Sequence, residues 1–159
     1  MATPEMKELH RSLVTANHIL HYHDVLDAYG HVSVRHPTKH DVYIMAKECP
    51  PALIESSDDL VEYWILDSRP VDENAAPGYP ERYIDGEIYK RYPDVKAVIH
   101  SHDQTVMPYT TSGVPLIPVC HTAGFLGRMK HFPRIRVAII DQYRLLRPTH
   151  SGIRHSPAL

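Results

Sequence analysis

The stretch Lys96–His102 (KAVIHSH) constrains this chain more than any other. Its apolar residues indicate a strand anchored in the core, and His-Ser-His follows them directly. Residues two apart on a strand point to the same face, about 6.6 Å apart at their Cα atoms. Two imidazoles placed in this way can bind one divalent ion. The spacing therefore predicts a strand over 96–102 with His100 and His102 as candidate metal ligands. Two surface histidines at a strand end are the alternative.

A carboxylate lies upstream of this strand, at the start of a predicted helix. Glu81 precedes His100 by nineteen residues and follows Pro80, a residue that favours the first turn of a helix over 80–91. A carboxylate beside a metal site can bind the ion or transfer a proton. Glu81 is therefore a candidate catalytic or ligand residue, and a simple charge at the helix start is the alternative.

The remaining pattern interleaves helices and strands, which is typical of an α/β or α+β fold. Apolar residues at three- and four-residue steps predict a helix over 4–23, with Thr3 as its N-cap. Alternation and short apolar runs predict the other elements. These are strands over 31–35, 41–45, 60–66 and 115–119, turns at 27–30 and 56–59, a hairpin at 36–40, a loop over 70–80 and a short helix over 105–111.

Composition excludes several classes of function. The 159 residues carry 17 Lys and Arg against 19 Asp and Glu, and the net charge of -2 offers no basic surface to nucleic acid or an anionic membrane. No apolar run approaches the ~20 residues of a transmembrane helix, and MATPEMKELH has no apolar signal core. Cys49 and Cys120 form no disulfide framework. We expect a single cytoplasmic domain over 1–159 without nucleic-acid or membrane partners.

Four stretches resemble the class II aldolase/adducin domain family. Gly30–Arg35 (GHVSVR) is similar to its Gly-Asn-x-Ser-x-Arg hairpin, and Asp58–Val61 (DDLV) to its Asp-Leu-Val turn. Glu81–Tyr89 resembles the helix that begins with the catalytic Glu of the family, and Tyr92–His102 resembles its signature strand. The resemblance implies α/β/α layers around a largely antiparallel central sheet, and a homo-oligomer that is usually a tetramer.

The resemblance covers roughly residues 8–127 and, more faintly, 137–159. It implies that Glu81 is catalytic and that His100 and His102 bind a divalent ion, with zinc as the expected metal. The family takes a third metal histidine from a later segment. By this resemblance, residues 128–159 are a divergent or truncated form of the family's C-terminal part. The available substitutes are His121, His150 and His155. His121 is favoured because its surroundings resemble those in decarboxylase-like members.

Two differences from the family bear on the substrate. Tyr79-Pro80 stands where the sugar-phosphate aldolases and epimerases carry phosphate-binding serines, and His31 replaces the hairpin Asn. A phosphorylated sugar is therefore disfavoured. By the same resemblance His31, Ser33 and Arg35 are candidate substrate-binding residues, and a structural ion pair is the alternative for Arg35.

The resemblance thus implies a metal-dependent carbon–carbon lyase that acts on a small hydroxylated aromatic or enolisable carboxylic acid. Decarboxylation is the leading reaction, with the metal stabilising an enolate-like intermediate and Glu81 as proton relay. Three alternatives stay open. They are aldol-type cleavage of a non-phosphorylated substrate, a non-catalytic adducin-like relative, and a metal-free acid/base enzyme built on a shortened fold.

Overall fold

Helix α1 spans Pro4–Tyr22 in the computed structural model, which describes residues 3–117. Thr3 caps it, because its Oγ1 accepts a hydrogen bond from the N–H of Met6 at 3.3 Å. Pro4 follows in the first turn, where its missing N–H costs no helical hydrogen bond. The predicted helix over 4–23 is confirmed to within one residue. No helix within residues 3–117 is both long and apolar enough to cross a bilayer.

Four antiparallel strands form one sheet in the order β3-β2-β1-β4. The strands are β1 (His31–Arg35), β2 (Val42–Ala46), β3 (Leu60–Trp64) and β4 (Ala97–His100). The register between β1 and β4 places His31 opposite His100. Strand β2 is buried along its whole length, because it lies between two strands and both of its faces are covered.

Helix α2 (Arg82–Arg91) packs on the sheet face opposite α1, so the layers are helix, sheet and helix. Side chains alternate along β2, with Ile44 on the α1 side and Tyr43 on the α2 side. The cluster facing α1 contains Leu13, Leu26, Val32 and Ile44. The cluster facing α2 contains Tyr43, Met45, Val61, Tyr63, Ile65, Tyr79, Tyr89 and Val98. This architecture confirms the expected α/β/α fold class around an antiparallel sheet.

Strands β2 and β3 differ from the predictions at their ends. The strand expected over 60–66 ends at Trp64, because the chain turns back over residues 65–68. The N–H of Ser68 donates to the Trp64 carbonyl at 2.8 Å, and the φ of Ser68 is 55°, in the left-handed region. Strand β2 lies one residue later than expected, because Asp41 still belongs to the hairpin turn.

The first compact unit of the chain ends at Met107, and the described residues 108–117 lie beyond it. Helix α3 (Met107–Thr111) is two residues shorter than predicted, because Asp103 Oδ1 accepts the N–H of Thr105 at 2.7 Å in a turn before the helix. The strand expected over 115–119 is wrong for 115–117, which have no regular secondary structure, and 118–119 lie outside the described residues. The tail over 128–159 also lies outside them, so the single-domain organisation stays a prediction.

Candidate metal centre

Three side chains meet where β4 ends. Glu81, His100 and His102 each present one ligand atom, and these atoms all lie within 4.8 Å of one another. His100 Nε2 lies 3.3 Å from Glu81 Oε2 and 3.0 Å from His102 Nε2. The two imidazole planes are nearly perpendicular, at 89°. The nitrogens therefore converge on one point from different directions.

This convergence does not come from a strand that continues through His102. Strand β4 ends at His100, so the strand predicted over 96–102 is wrong at both ends. Beyond it, Ser101 Oγ donates to the Val25 carbonyl at 2.5 Å and holds the chain against the loop between α1 and β1. His102 Nδ1 lies 3.1 Å from Asp27 Oδ2. An irregular segment held by side-chain contacts, rather than strand alternation, thus brings the two histidines together.

Glu81 comes from the residue just before α2. Its backbone is already helical (φ −79°, ψ −4°), but the first regular residue is Arg82, so the start predicted at Pro80 is two residues early. The Glu81 side chain makes no capping hydrogen bond and lies instead beside His100. Side-chain exposures of 26% for Glu81 and 20% for His100 leave both accessible to a small molecule.

A buried polar network lies behind His100. The His31 ring stacks on the His100 ring, with centroids 5.0 Å apart and planes 20° apart. His31 Nε2 lies 3.1 Å from Asp85 Oδ2, and Asp85 Oδ1 accepts a hydrogen bond from Ser33 Oγ at 2.5 Å. Ser33 Oγ is also 2.9 Å from the Tyr89 hydroxyl. Each of these groups is buried with a hydrogen-bonding partner, which is what an unexposed polar cluster requires.

The two stacked histidines have opposite pKa shifts. Burial, together with the neighbouring charge of His31, lowers the pKa of His100 below its ordinary value. Burial also lowers the pKa of His31, but the hydrogen bond and the charge of Asp85 outweigh it, so the pKa of His31 is raised. His31 Nδ1 faces the Tyr29 carbonyl at 3.2 Å, which can only accept a hydrogen bond. The lowered pKa of His100 favours its neutral form, which is the form that binds metal ions.

Arg35 makes contacts that favour a structural role. Its guanidinium lies 4.8 Å from the centroid of the Tyr89 ring. It donates hydrogen bonds to the carbonyls of Tyr89 (2.9 Å), Val95 (3.0 Å), Tyr92 (3.2 Å) and His40 (3.2 Å). Among residues 3–117, its hydrogen-bond partners are therefore carbonyl groups rather than the carboxylate of an ion pair. His31 and Ser33 are also buried, and the substrate contacts of all three residues stay predictions.

Two carboxylates at the centre were missed by the sequence analysis. Asp85 follows Glu81 by four residues, about one helical turn, so the helical repeat would have placed the two carboxylates on the same side. Asp27 was assigned to a turn, and its oxygens accept the N–H groups of Tyr29 at 3.0 Å and Gly30 at 2.7 Å. Burial raises the pKa of Asp27, but these N–H groups and His102 outweigh it, so the pKa of Asp27 is lowered.

Replacing Asp85 with Ala should lower the free energy of unfolding by about 3–5 kcal/mol, because His31 and Ser33 would stay buried without their shared acceptor. Urea unfolding followed by circular dichroism measures the change. Glu87→Ala is the matched control on the same helix, since Glu87 is exposed and pairs only with nearby Lys90 among the described residues. We expect the control to stay within about 0.5 kcal/mol of the wild type. A loss below about 1 kcal/mol for Asp85→Ala would contradict a stabilising role of the network.

Comparison with known proteins gives a family and a close relative. The family model of the class II aldolase and adducin N-terminal domain matches residues 9–150. The decarboxylase tropJ of Talaromyces stipitatus is 52% identical over 117 residues, which cover 74% of this chain and 44% of that protein. The chain therefore spans less than half the length of this relative.

Solved structures share the fold. An aldolase II superfamily protein from Pseudomonas syringae superposes with a TM-score of 0.66 at 25% identity, over 80% of this chain and 52% of that one. An L-fuculose 1-phosphate aldolase from Glaciozyma antarctica PI12 superposes with a TM-score of 0.62 at 23% identity, over 73% of this chain and 49% of that one. Since the family model matches most of its length, the chain belongs to the class II aldolase and adducin N-terminal domain family.

Proposed function

We propose that this chain is a metal-dependent carbon–carbon lyase that decarboxylates a small hydroxylated aromatic or enolisable carboxylic acid. The observation that carries the proposal is the cluster of Glu81, His100 and His102, whose ligand atoms lie within 4.8 Å of one another. The 52% identity to a decarboxylase over 74% of the chain supports the choice of reaction.

The donor set fits a divalent ion. Two imidazole nitrogens with a carboxylate beside them suit zinc and other first-row metals. We propose that His100 and His102 hold the ion and that zinc is the metal. A divalent ion at this position supplies a Lewis acid that polarises substrate oxygens. His121, which lies outside the described residues, is proposed as a further ligand.

The carboxylate has a separate task in this proposal. When the bond between the substrate carbon and its carboxylate breaks, CO₂ leaves and the electron pair stays on the carbon skeleton. Glu81 in its protonated form delivers a proton to that carbon and regains one from water. Its place 3.3 Å from His100 would keep that proton close to a substrate held at the centre. The net reaction exchanges the carboxylate for a hydrogen.

The contacts of Arg82 and Arg35 support a substrate without a phosphate group. Arg82 donates to the carbonyls of Ser68 at 3.0 Å and Tyr79 at 2.9 Å, and Arg35 also donates to carbonyls. The Tyr79 hydroxyl donates to the Cys49 carbonyl, and its ring stacks on His31. We propose that His31, Ser33 and Arg35 serve substrate binding indirectly, by supporting His100 and α2 from behind.

Removing the metal tests the proposal. Protein purified without chelator should contain about one divalent ion per chain. It should release CO₂ from a member of a panel of dihydroxybenzoic and β-keto acids. Chelation should stop CO₂ release and added Zn²⁺ should restore it, because the Lewis acid is required for the bond to break. Ion content is measured by mass spectrometry and CO₂ by a coupled assay.

Each of the other outcomes selects an alternative. Release of an aldehyde instead of CO₂ would replace decarboxylation by aldol cleavage. CO₂ release that persists without metal would indicate a metal-free acid/base enzyme. Absence of both ion and activity would indicate a non-catalytic relative.

We extend the proposal to a small-molecule substrate, a homo-oligomer such as a tetramer and a cytoplasmic location. Light scattering measures the oligomer.

A further inference from the structure

Asp27 contacts the candidate ligand His102 through the ring nitrogen that does not face His100. Its two carboxylate oxygens lie 3.1 and 3.3 Å from His102 Nδ1. One of them, Oδ1, also accepts the N–H groups of Tyr29 and Gly30. A carboxylate offers only acceptors to these partners, so the hydrogen bond to His102 requires a proton on Nδ1. The lone pair of this imidazole then lies on Nε2, the atom that is 3.0 Å from His100 Nε2.

The loop that carries Asp27 is fixed against the chain that carries His102. Ser101 Oγ donates to the Val25 carbonyl, two residues before Asp27 in the loop. Gly30 packs so closely that an added Cβ would lie 2.9 Å from the Leu26 side chain and 3.2 Å from the His100 carbonyl oxygen. Both contacts hold the carboxylate at a fixed place relative to the His102 ring.

We propose that Asp27 is a positioning residue of the metal centre. It holds His102 in the tautomer and the ring orientation that present Nε2 to an ion shared with His100. Histidines that bind metals generally donate their second N–H to a carboxylate or a carbonyl, and loss of that partner weakens metal affinity. The inference rests on the proposed function, because it assumes that His102 is a ligand.

The test is the Zn²⁺ dissociation constant, measured by competition with a chromophoric chelator. Asp27→Ala should weaken Zn²⁺ binding by about 10–100-fold. Asp27→Asn should fall between Asp27→Ala and the wild type, because an amide oxygen still accepts the Nδ1 proton without the charge. Asp72→Ala is the matched control, since Asp72 accepts the N–H of Asn74 at 2.9 Å in a similar turn and contacts no site residue in the described part of the chain. The control should leave affinity unchanged.

A second comparison separates positioning from a general loss of structure. If Asp27 acts through His102, Asp27→Ala should add no further loss to the residual Zn²⁺ affinity of His102→Ala. The melting temperature of each metal-free variant shows whether it folds. In the metal-free wild type, long-range ¹H–¹⁵N spectra should show His102 protonated on Nδ1. If Asp27→Ala does not fold, the same spectra recorded on Asp27→Asn provide the test.

The outcomes distinguish this inference from the proposed function. A wild-type protein that does not bind Zn²⁺ overturns both. Wild-type affinity that Asp27→Ala retains overturns the positioning role alone. An equal loss of Zn²⁺ affinity when Asp27→Ala is made in the His102→Ala background also overturns the positioning role alone. So does a His102 Nδ1 without its proton in the metal-free wild type.

Discussion

His100→Ala should release the metal ion while the protein keeps its fold. His100 Nε2 lies close to both other ligand groups, 3.0 Å from His102 Nε2 and 3.3 Å from Glu81 Oε2. Its removal leaves fewer donors than the three protein ligands that a catalytic zinc usually has. We expect a loss of affinity larger than the roughly 10–100-fold that a change outside the ligands produces. Ion content after gel filtration measures retention, and the melting temperature reports the fold.

Two further variants make this result specific. His40→Ala removes an exposed hairpin histidine and should keep the full ion content. His121→Ala tests the proposed additional ligand. Like His100→Ala, this variant should lose the metal. An unchanged ion content in His100→Ala would refute the assignment of the metal centre. Metal kept by His121→Ala alone would confine the ligands to the cluster around β4.

Glu81→Gln should lower turnover by on the order of 10²–10⁴-fold, the contribution typical of a positioned acid or base. Glutamine keeps the shape of the side chain and can still contact His100, but it cannot transfer a proton. Metal content should stay at the wild-type value, because His100 and His102 are unchanged. The turnover number for CO₂ release, measured at a saturating concentration of the substrate, gives the effect.

Glu87→Gln is the control for this change, since Glu87 is an exposed glutamate within α2 that pairs with Lys90. It should leave turnover within about twofold of the wild type, as expected for a surface substitution. If Glu81→Gln also loses its metal, Glu81 is a ligand and not a proton relay. Full activity in Glu81→Gln would refute the mechanism.

The elements with local causes could be predicted from the sequence. The N-cap of α1 depends on Thr3 and Pro4 alone, and β1 has the predicted ends because its alternation covers its whole length. His100 and His102 were found because two residues so close in sequence cannot lie far apart. Even there the predicted strand was too long, because contacts with a distant loop determine where β4 ends.

The rest of the centre depends on contacts between distant segments. Asp27 lies 75 residues before His102, and its own turn gives no sign of that partner. Asp85 and His31 are 54 residues apart in sequence and meet because α2 packs on the face of β1 that carries His31. The donors of Arg35 are occupied by carbonyls whose positions follow from the tertiary structure. A strand pattern cannot reveal such partners.

The position of β4 at one edge of the sheet links the centre to the order of folding. Strand β4 pairs with β1 across a long stretch of chain, and such non-local pairings form slowly because loop closure precedes their gain. We therefore expect His100 to meet Glu81 and the loop of Asp27 only after this edge has closed. A bound ion would favour the closed sheet by mass action. Slower hydrogen exchange of the β4 amides would accompany occupancy of the centre.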